Sequence, residues 1–126
     1  MAKAKHLKTG RKGEAMAWRQ LRRLGYTLLR KNYNLEHVGE IDIIARDGGT
    51  LCFIEVKTRQ KQKNHSPAEA INSAKRKRIV KCAKYFLKKY SIEHVPFRYD
   101  IVEVELGKYF WQHEITLTPH AFKEMK

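Results

Sequence analysis

The sequence predicts an α/β domain with a mixed central sheet flanked by helices, in the order α-β-β-β-α-β-β. Three observations lead there. Apolar residues recur at helical spacing near the start of the chain and again after residue 66. Between those stretches, and again after Pro96, runs of β-branched and aromatic residues broken by Gly and Asp read as strands. The length of 126 residues, with 42% hydrophobic, suits one domain and one modest core spanning residues 1–126.

Residues 1–11 carry Lys3, Lys5, Lys8 and Arg11 around Leu7, the only large apolar residue after Met1, and are expected to form a mobile basic arm. From about Lys12 to Leu24, Ala17, Trp18, Leu21 and Leu24 mark the first helix, with Gly25 as its stop. Glu14 stands on that apolar stripe. An acid in a first turn complements the helix dipole, but its place on the core-facing stripe favours a functional role. Tyr26 to Tyr33 reads as the first strand, and His37 as an exposed loop residue.

Gly39 to Arg59 reads as a β-hairpin turning at Asp47-Gly48-Gly49-Thr50. If Gly48-Gly49 is a two-residue loop, Asp47 faces Thr50, Asp42 falls opposite Glu55, and Glu40 falls opposite Lys57. Strand alternation then puts all four side chains on one face. Opposed Cβ atoms lie roughly 4.5 to 5.5 Å apart, so the Asp42 and Glu55 carboxylates are within reach of one cation.

After a polar, basic loop over Gln60 to His65, Ser66-Pro67-Ala68-Glu69 has the form of a capping box with proline at the first helical position. The helix expected from it runs to about Tyr90, with Ile71, Ala74, Val80, Ala83, Leu87 and Tyr90 as its apolar stripe. Phe97 to Leu106 and Tyr109 to Leu117 read as the last strands, joined through Gly107 and followed by Pro119. Arg98 and Asp100 share a face of the first, which invites an ion pair. The run Tyr109, Phe110 and Trp111 is expected to pack in the core or hairpin, and is also the surface through which a homodimer would form.

The balance of 27 Lys and Arg against 13 Asp and Glu, a net charge of +14, is that of a polyanion binder, with nucleic acid the expected partner and DNA ahead of RNA. Lys75, Arg76, Lys77, Arg78 and Lys81 form the densest positive patch, and with Lys12 and Arg59 are the expected phosphate contacts. No apolar run follows the early lysines and none later approaches a membrane span, so a cytoplasmic location and no membrane partner are expected. Cys52 and Cys82 form no metal or redox motif and read as small buried hydrophobes.

Hard divalent cations take oxygen ligands, and Mg²⁺ or Mn²⁺ held by Asp42 and Glu55 suits metal-assisted phosphodiester hydrolysis. Lys57 would orient or deprotonate the attacking water and offset charge on the phosphate. Glu14, or Glu40 instead, would complete the metal shell. The competing arrangement is a structural ladder in which Glu40 pairs with Lys57 and Asp42 accepts backbone hydrogen bonds. Spacing alone does not separate them.

Gly39-Glu40-Ile41-Asp42-Ile43-Ile44-Ala45 followed by Phe53-Ile54-Glu55-Val56-Lys57-Thr58-Arg59 resembles the signature of the YraN family of small nuclease-like proteins. That family resembles the Holliday-junction resolvases and the wider PD-(D/E)xK endonuclease superfamily. The resemblance extends through Gly13-Glu14, Ala17, Asn32, Ala70, Lys75, Arg78 and Arg98-Tyr99-Asp100; Ile41 stands where the superfamily pattern has proline. It implies a restriction-endonuclease-like fold, Asp42, Glu55 and the backbone carbonyl of Val56 as metal ligands, Lys57 as the catalytic lysine, and Glu14 as a helix-borne acid. The activity implied is endonucleolytic cleavage of DNA, including branched or structured DNA. A non-catalytic DNA- or RNA-binding module on the same fold would account equally for the charge, though not for the convergence of Glu14, Asp42, Glu55 and Lys57. A structural or ribosome-associated role rests on small size and high pI alone.

Overall fold

The computed structural model describes residues 2–61 and 71–124, with side chains from residue 10 onward. Its elements are α1 (Ala2–Arg23), β1 (Thr27–Leu35), β2 (Gly39–Asp47), β3 (Thr50–Gln60), α2 (Ser73–Lys89), β4 (Phe97–Leu106), a 3₁₀ turn (Phe110–Gln112) and β5 (Glu114–Phe122). The five strands form one sheet in sequence order. β3 and β4 are parallel and the other pairs antiparallel, because α2 carries the chain back across the sheet between them. This is the mixed sheet flanked by helices that the sequence predicts. No helix among the described residues is long and apolar enough to cross a membrane.

Each helix covers one face. Ala17 and Leu21 of α1 pack on Ile43, Ala45, Cys52, Ile54, Val102 and Val104. Ile79, Cys82, Ala83 and Phe86 of α2 pack on the opposite face with Ile44, Leu51, Phe53, Tyr99 and Ile101. Both cysteines are free and buried, as expected. Arg98 binds Asp100, its Nε 3.0 Å from Oδ2, and also reaches Tyr26 and Asp47, so the expected ion pair is part of a network that ties β4 to the hairpin turn.

Four features differ from expectation. The α1 backbone is helical from Ala2, because charged residues with good propensity extend a helix without an apolar stripe. The start of α2 is set by Asn72, which is extended at φ −78°, ψ 168° and whose Oδ1 accepts from the Lys75 N–H at 2.8 Å. The helix therefore does not run back through Ile71; the Ser66-Pro67-Ala68-Glu69 box and the rest of the basic loop lie in residues 62–70, outside the described residues. The buried stripe of α2 is Ile79, Cys82, Ala83 and Phe86, while Ala74 and Tyr90 are exposed and Val80 and Leu87 are half-buried. Phe86 and Ile79 outweigh Ala74 in area, and the helix turns to bury them.

The last difference is at the C-terminal hairpin. Tyr109, Phe110 and Trp111 are not strand or core; they form an exposed turn, and β5 begins only at Glu114. Pro119 lies within β5, an edge strand, beside the register shift between Tyr99 and Ile101, where a missing N–H is tolerated.

Candidate active site

The β2–β3 hairpin keeps the expected register from the turn as far as Ile43, one pair short of Asp42 and Glu55. Asp47 pairs with Thr50, Gly48 takes φ 59° in the turn, and the ladder runs to Ile43 opposite Ile54. Ile44 and Phe53 face α2, and Glu55 follows Phe53 by two on that face; strict alternation breaks at Asp42, between Ile41 of the α2-side core and Ile43 of the α1-side core, yet Asp42 lines the same cleft as Glu55. Here the ladder gives way to a side chain: Asp42 Oδ2 accepts the Val56 N–H at 2.8 Å. Past Ile43 β2 stays paired with β1 alone, where Glu40 is in register with Asn34, and the expected Glu40–Lys57 opposition is not part of the ladder.

Glu55 is 4% exposed. Burial, and next the Glu55 carboxylate, push Asp42 up to about 8, against the pull of the Val56 N–H. Two adjacent carboxyls removed from water cannot both stay ionised without positive charge beside them.

The rotation of α2 supplies that charge. Lys75 precedes Ile79 by one helical turn and Arg78 precedes Cys82 by one, so burying Ile79 and Cys82 places both on the side of α2 that borders the cleft, Lys75 half-buried and Arg78 exposed. Lys75 Nζ pairs with Glu55 Oε1. Glu40, Asp42, Glu55, Lys75, Arg78 and Ile79 line a cleft of about 200 Å³. A Cβ on Gly39, which has φ 154°, would stand 3.1 Å from Arg78 Cβ, so glycine there lets α2 approach the cleft.

On the other side of the sheet Gly13 lets α1 sit against β3: a Cβ there would fall 1.7 Å from Thr58 Oγ1. Glu14 follows at once and turns toward the sheet edge. Asn32, at φ 53° in β1, joins it to the cleft; in the amide orientation that satisfies both atoms it donates to Glu14 Oε2 at 3.0 Å and to Glu40 Oε1 at 3.2 Å. Burial pushes the Glu14 carboxyl up, Glu40 adds to the effect, and Lys31 opposes it. Glu14, Glu40, Asp42 and Glu55 thus form a continuous acidic row with cations on one side.

A family profile described as "Uncharacterised protein family UPF0102" matches residues 13–104. The chain belongs to the UPF0102 (YraN) family. It is 42% identical to a UPF0102 protein of Koribacter versatilis over 118 residues, covering 93% of this chain and 80% of that one. A UPF0102 protein of Caldicellulosiruptor saccharolyticus is 36% identical over 113 residues, 90% and 95% of the two chains. One from Clostridium kluyveri is 38% identical over 114 residues, 90% and 93% of the two chains. The UPF0102 match contains Glu14, Asp42, Glu55 and Lys57 and stops before the aromatic turn.

Lys57, half-buried, shares the Glu55 face by strand alternation and lies in register with Glu103 of β4, outside the residues that line the cleft. Glu103 is a buried acid within the UPF0102 match that the sequence reading missed. It is 1% exposed, and Arg59 Nε lies 3.0 Å from its Oε1 as an ion pair not aligned for a hydrogen bond. Its signal was available: an acid inside Ile101-Val102-Glu103-Val104 is the same anomaly that marks Asp42 and Glu55.

The expected phosphate contacts divide in two. Lys75 and Arg59 are held by Glu55 and Glu103. Arg76, Lys77 and Lys81 line a second cleft, of about 220 Å³, with Lys123 and the apolar edge of Val80. Lys12 is exposed on α1. The first turn of α2 holds no acid, so the positive end of its dipole adds to these cations rather than offsetting them.

Among the described residues no three His, Cys, Asp or Glu side chains converge into a ready-made metal cage. The Asp42–Glu55 pair nevertheless fits a hard divalent ion. Mg²⁺ takes one or two carboxylates and keeps its other positions for water and phosphate oxygens, and a cation between the two groups would relieve the repulsion that helps push Asp42 up.

Proposed function

We propose that the chain is a Mg²⁺- or Mn²⁺-dependent endonuclease-like protein that hydrolyses phosphodiester bonds in DNA, with branched or structured DNA in its range. The observation that carries this reading is the adjacency of Asp42 and Glu55 on one face, with Asp42 pushed up to about 8 beneath a basic helix. Asp42, Glu55 and the Val56 carbonyl would hold the ion, with Glu14 or Glu40 acting at the edge of its shell. When bound, the ion acidifies water and withdraws charge from the phosphate.

The chain's own groups supply the rest. Asp42 is fixed by the Val56 N–H, so its carboxylate needs no reorganisation when the site is used. Lys57 Nζ, on the Glu55 face, orients the water and removes its proton or neutralises the phosphate. Arg78, exposed at the border of the cleft, screens the substrate's charge, and Arg76, Lys77, Lys81 and Lys12 hold the flanking phosphates.

One observation favours a non-catalytic DNA- or RNA-binding module on the same fold: Lys75 already answers the charge of Glu55 from within the chain. Calorimetric titration with Mn²⁺ and Mg²⁺ separates the two readings. The enzyme reading expects uptake in the millimolar range or tighter that Asp42→Ala and Glu55→Ala abolish. It also expects cleavage of labelled linear, nicked, flapped or four-way DNA that Lys57→Ala eliminates while binding persists. No metal uptake at millimolar concentration sinks the enzyme reading, and binding of DNA or RNA without cleavage by wild type leaves the module.

A further inference from the structure

Tyr109, Phe110 and Trp111 are 46%, 79% and 67% exposed, the largest contiguous run of exposed aromatics among the described residues. Exposed aromatic surface usually marks a place where something binds. The Tyr109 and Trp111 rings stack at 4.7 Å and 4°, Phe110 packs edge-on to Trp111 at 5.2 Å, and Lys108 Nζ lies 5.5 Å from the Tyr109 centroid.

The turn is braced from inside. Tyr109 N–H donates to Gln112 Oε1 at 3.1 Å, and Gln112 N–H returns to Tyr109 O at 2.9 Å. His113 N–H donates to Phe110 O at 3.2 Å, while His113 Nδ1 accepts the Gly107 N–H at 3.0 Å. A Cβ on Gly107 would stand 2.3 Å from Gln112 Cβ, so the closure requires glycine. Rings held this way lose little conformational freedom on binding.

The turn also stands at the active-site end of the sheet. β3 and β4 run parallel to Gln60 beside Leu106, and Lys61 N–H donates to Leu106 O at 3.0 Å. From Lys57 to that edge the strand rises about 10 Å. The nearby acid Glu114 is neutralised by Lys61 at 2.8 Å.

We propose that the braced Tyr109–Phe110–Trp111 turn is a stacking platform for unpaired nucleobases, so that the ligand is a nucleic acid with a single-stranded segment next to duplex. This rests on the nucleic-acid reading of the site given above. Every base has a π face, and a base laid on the outer face of Trp111 continues a stack already formed. A second copy of the chain is the other occupant such a surface could take, but two copies each of net charge +14 repel, whereas a polyanion is drawn to Lys108 and the basic helix.

The test compares the full-length protein's affinity for a blunt DNA duplex and for the same duplex with a single-stranded oligothymidine extension, by fluorescence anisotropy. Wild type is expected to bind the extended DNA roughly tenfold more tightly, that ratio to fall to about one in Trp111→Ala, and to be largely restored in Trp111→Phe. Oligothymidine is expected to quench tryptophan emission in wild type and to lose most of that quenching in Trp111→Phe. An unchanged ratio in Trp111→Ala overturns the proposal while leaving nucleic-acid binding intact. Wild type that binds neither DNA overturns both. A wild-type dimer in sedimentation that Trp111→Ala splits, with the ratio unchanged, assigns the turn to self-association and overturns the platform.

Discussion

Lys75 reaches from the first turn of α2 to the buried carboxylate of Glu55, so a side chain expected on the outer phosphate-binding face is an internal counter-ion. The Lys75 side chain is 39% exposed and that of Glu55 4%. Removing the ammonium leaves the carboxylate unanswered, and Lys75→Met is expected to lower metal-free stability by about 1–2 kcal/mol, less than a fully buried pair because solvent screens the lysine. Saturating Mg²⁺ is expected to shrink the deficit, since the cation takes over the charge balance. Urea unfolding with and without MgCl₂ checks this, and a deficit indifferent to Mg²⁺ would separate Lys75 from the proposed metal site.

Asp42 is expected to make the stability of the protein in chelator depend on pH. Its folded value is raised from 3.8 to about 8, mainly by burial, so across that window the folded state holds a proton that the unfolded chain releases. Stability from this group is complete below the unfolded value and is lost as pH rises through the folded one. Asp42→Asn keeps an oxygen for the Val56 N–H and removes the titration. The Tm of Asp42→Asn relative to wild type is therefore expected to climb between pH 4 and pH 8, by on the order of 5 °C. Differential scanning at several pH values in chelator reads the slope, and parallel curves for the two proteins would refute it.

The hairpin at the centre of the site is legible in the sequence because its information is local: period-2 patterning and a Gly-Gly turn fix the register as far as Ile43–Ile54, and the next residues, Asp42 and Glu55, line one cleft although the ladder has ended. The rotation of α2 is not, because Ile79, Cys82, Ala83 and Phe86 compete with Val80, Ala83 and Leu87 as apolar stripes, and the facing sheet decides between them. That choice carries Lys75 and Arg78 into the cleft. Glu40 lacks its expected partner because the β2–β3 ladder ends at Ile43–Ile54 while β2 stays paired with β1 down to Gly39, and local patterning does not show where a ladder stops. The aromatic turn reads as strand because Tyr, Phe and Trp have strand propensity, which the closure of Gly107 against Gln112 overrides.

Two glycines in α1 should respond in opposite directions. At Gly13 a methyl group would overlap Thr58, 1.7 Å from Oγ1 and 2.7 Å from Cβ, whereas at Gly10 nothing lies within 4 Å. Gly13→Ala is expected to cost about 1–3 kcal/mol by lifting α1 from β3, and with it Glu14 from Asn32. Gly10→Ala is expected to gain up to about 1 kcal/mol from helix propensity. Chemical denaturation of the two variants decides the matter; equal effects would mean that α1 does not lie on Thr58.

The outer face of α2 is expected to dominate the electrostatics of binding. Lys77 and Lys81 border one cleft with Arg76 and Lys123, whereas Lys88 and Lys89 sit in the last turn, where positive charge is already matched to the helix dipole. Each phosphate that the protein no longer neutralises reduces the slope of log K against log salt by about 0.9 on duplex DNA. Lys77→Gln/Lys81→Gln is therefore expected to flatten that slope by close to 2, and Lys88→Gln/Lys89→Gln to leave it nearly unchanged. Anisotropy titrations across a salt series give both slopes. Equal flattening by the two pairs would mean that DNA responds to the net charge of the chain rather than to this face, and would remove the phosphate-binding role from Lys77 and Lys81.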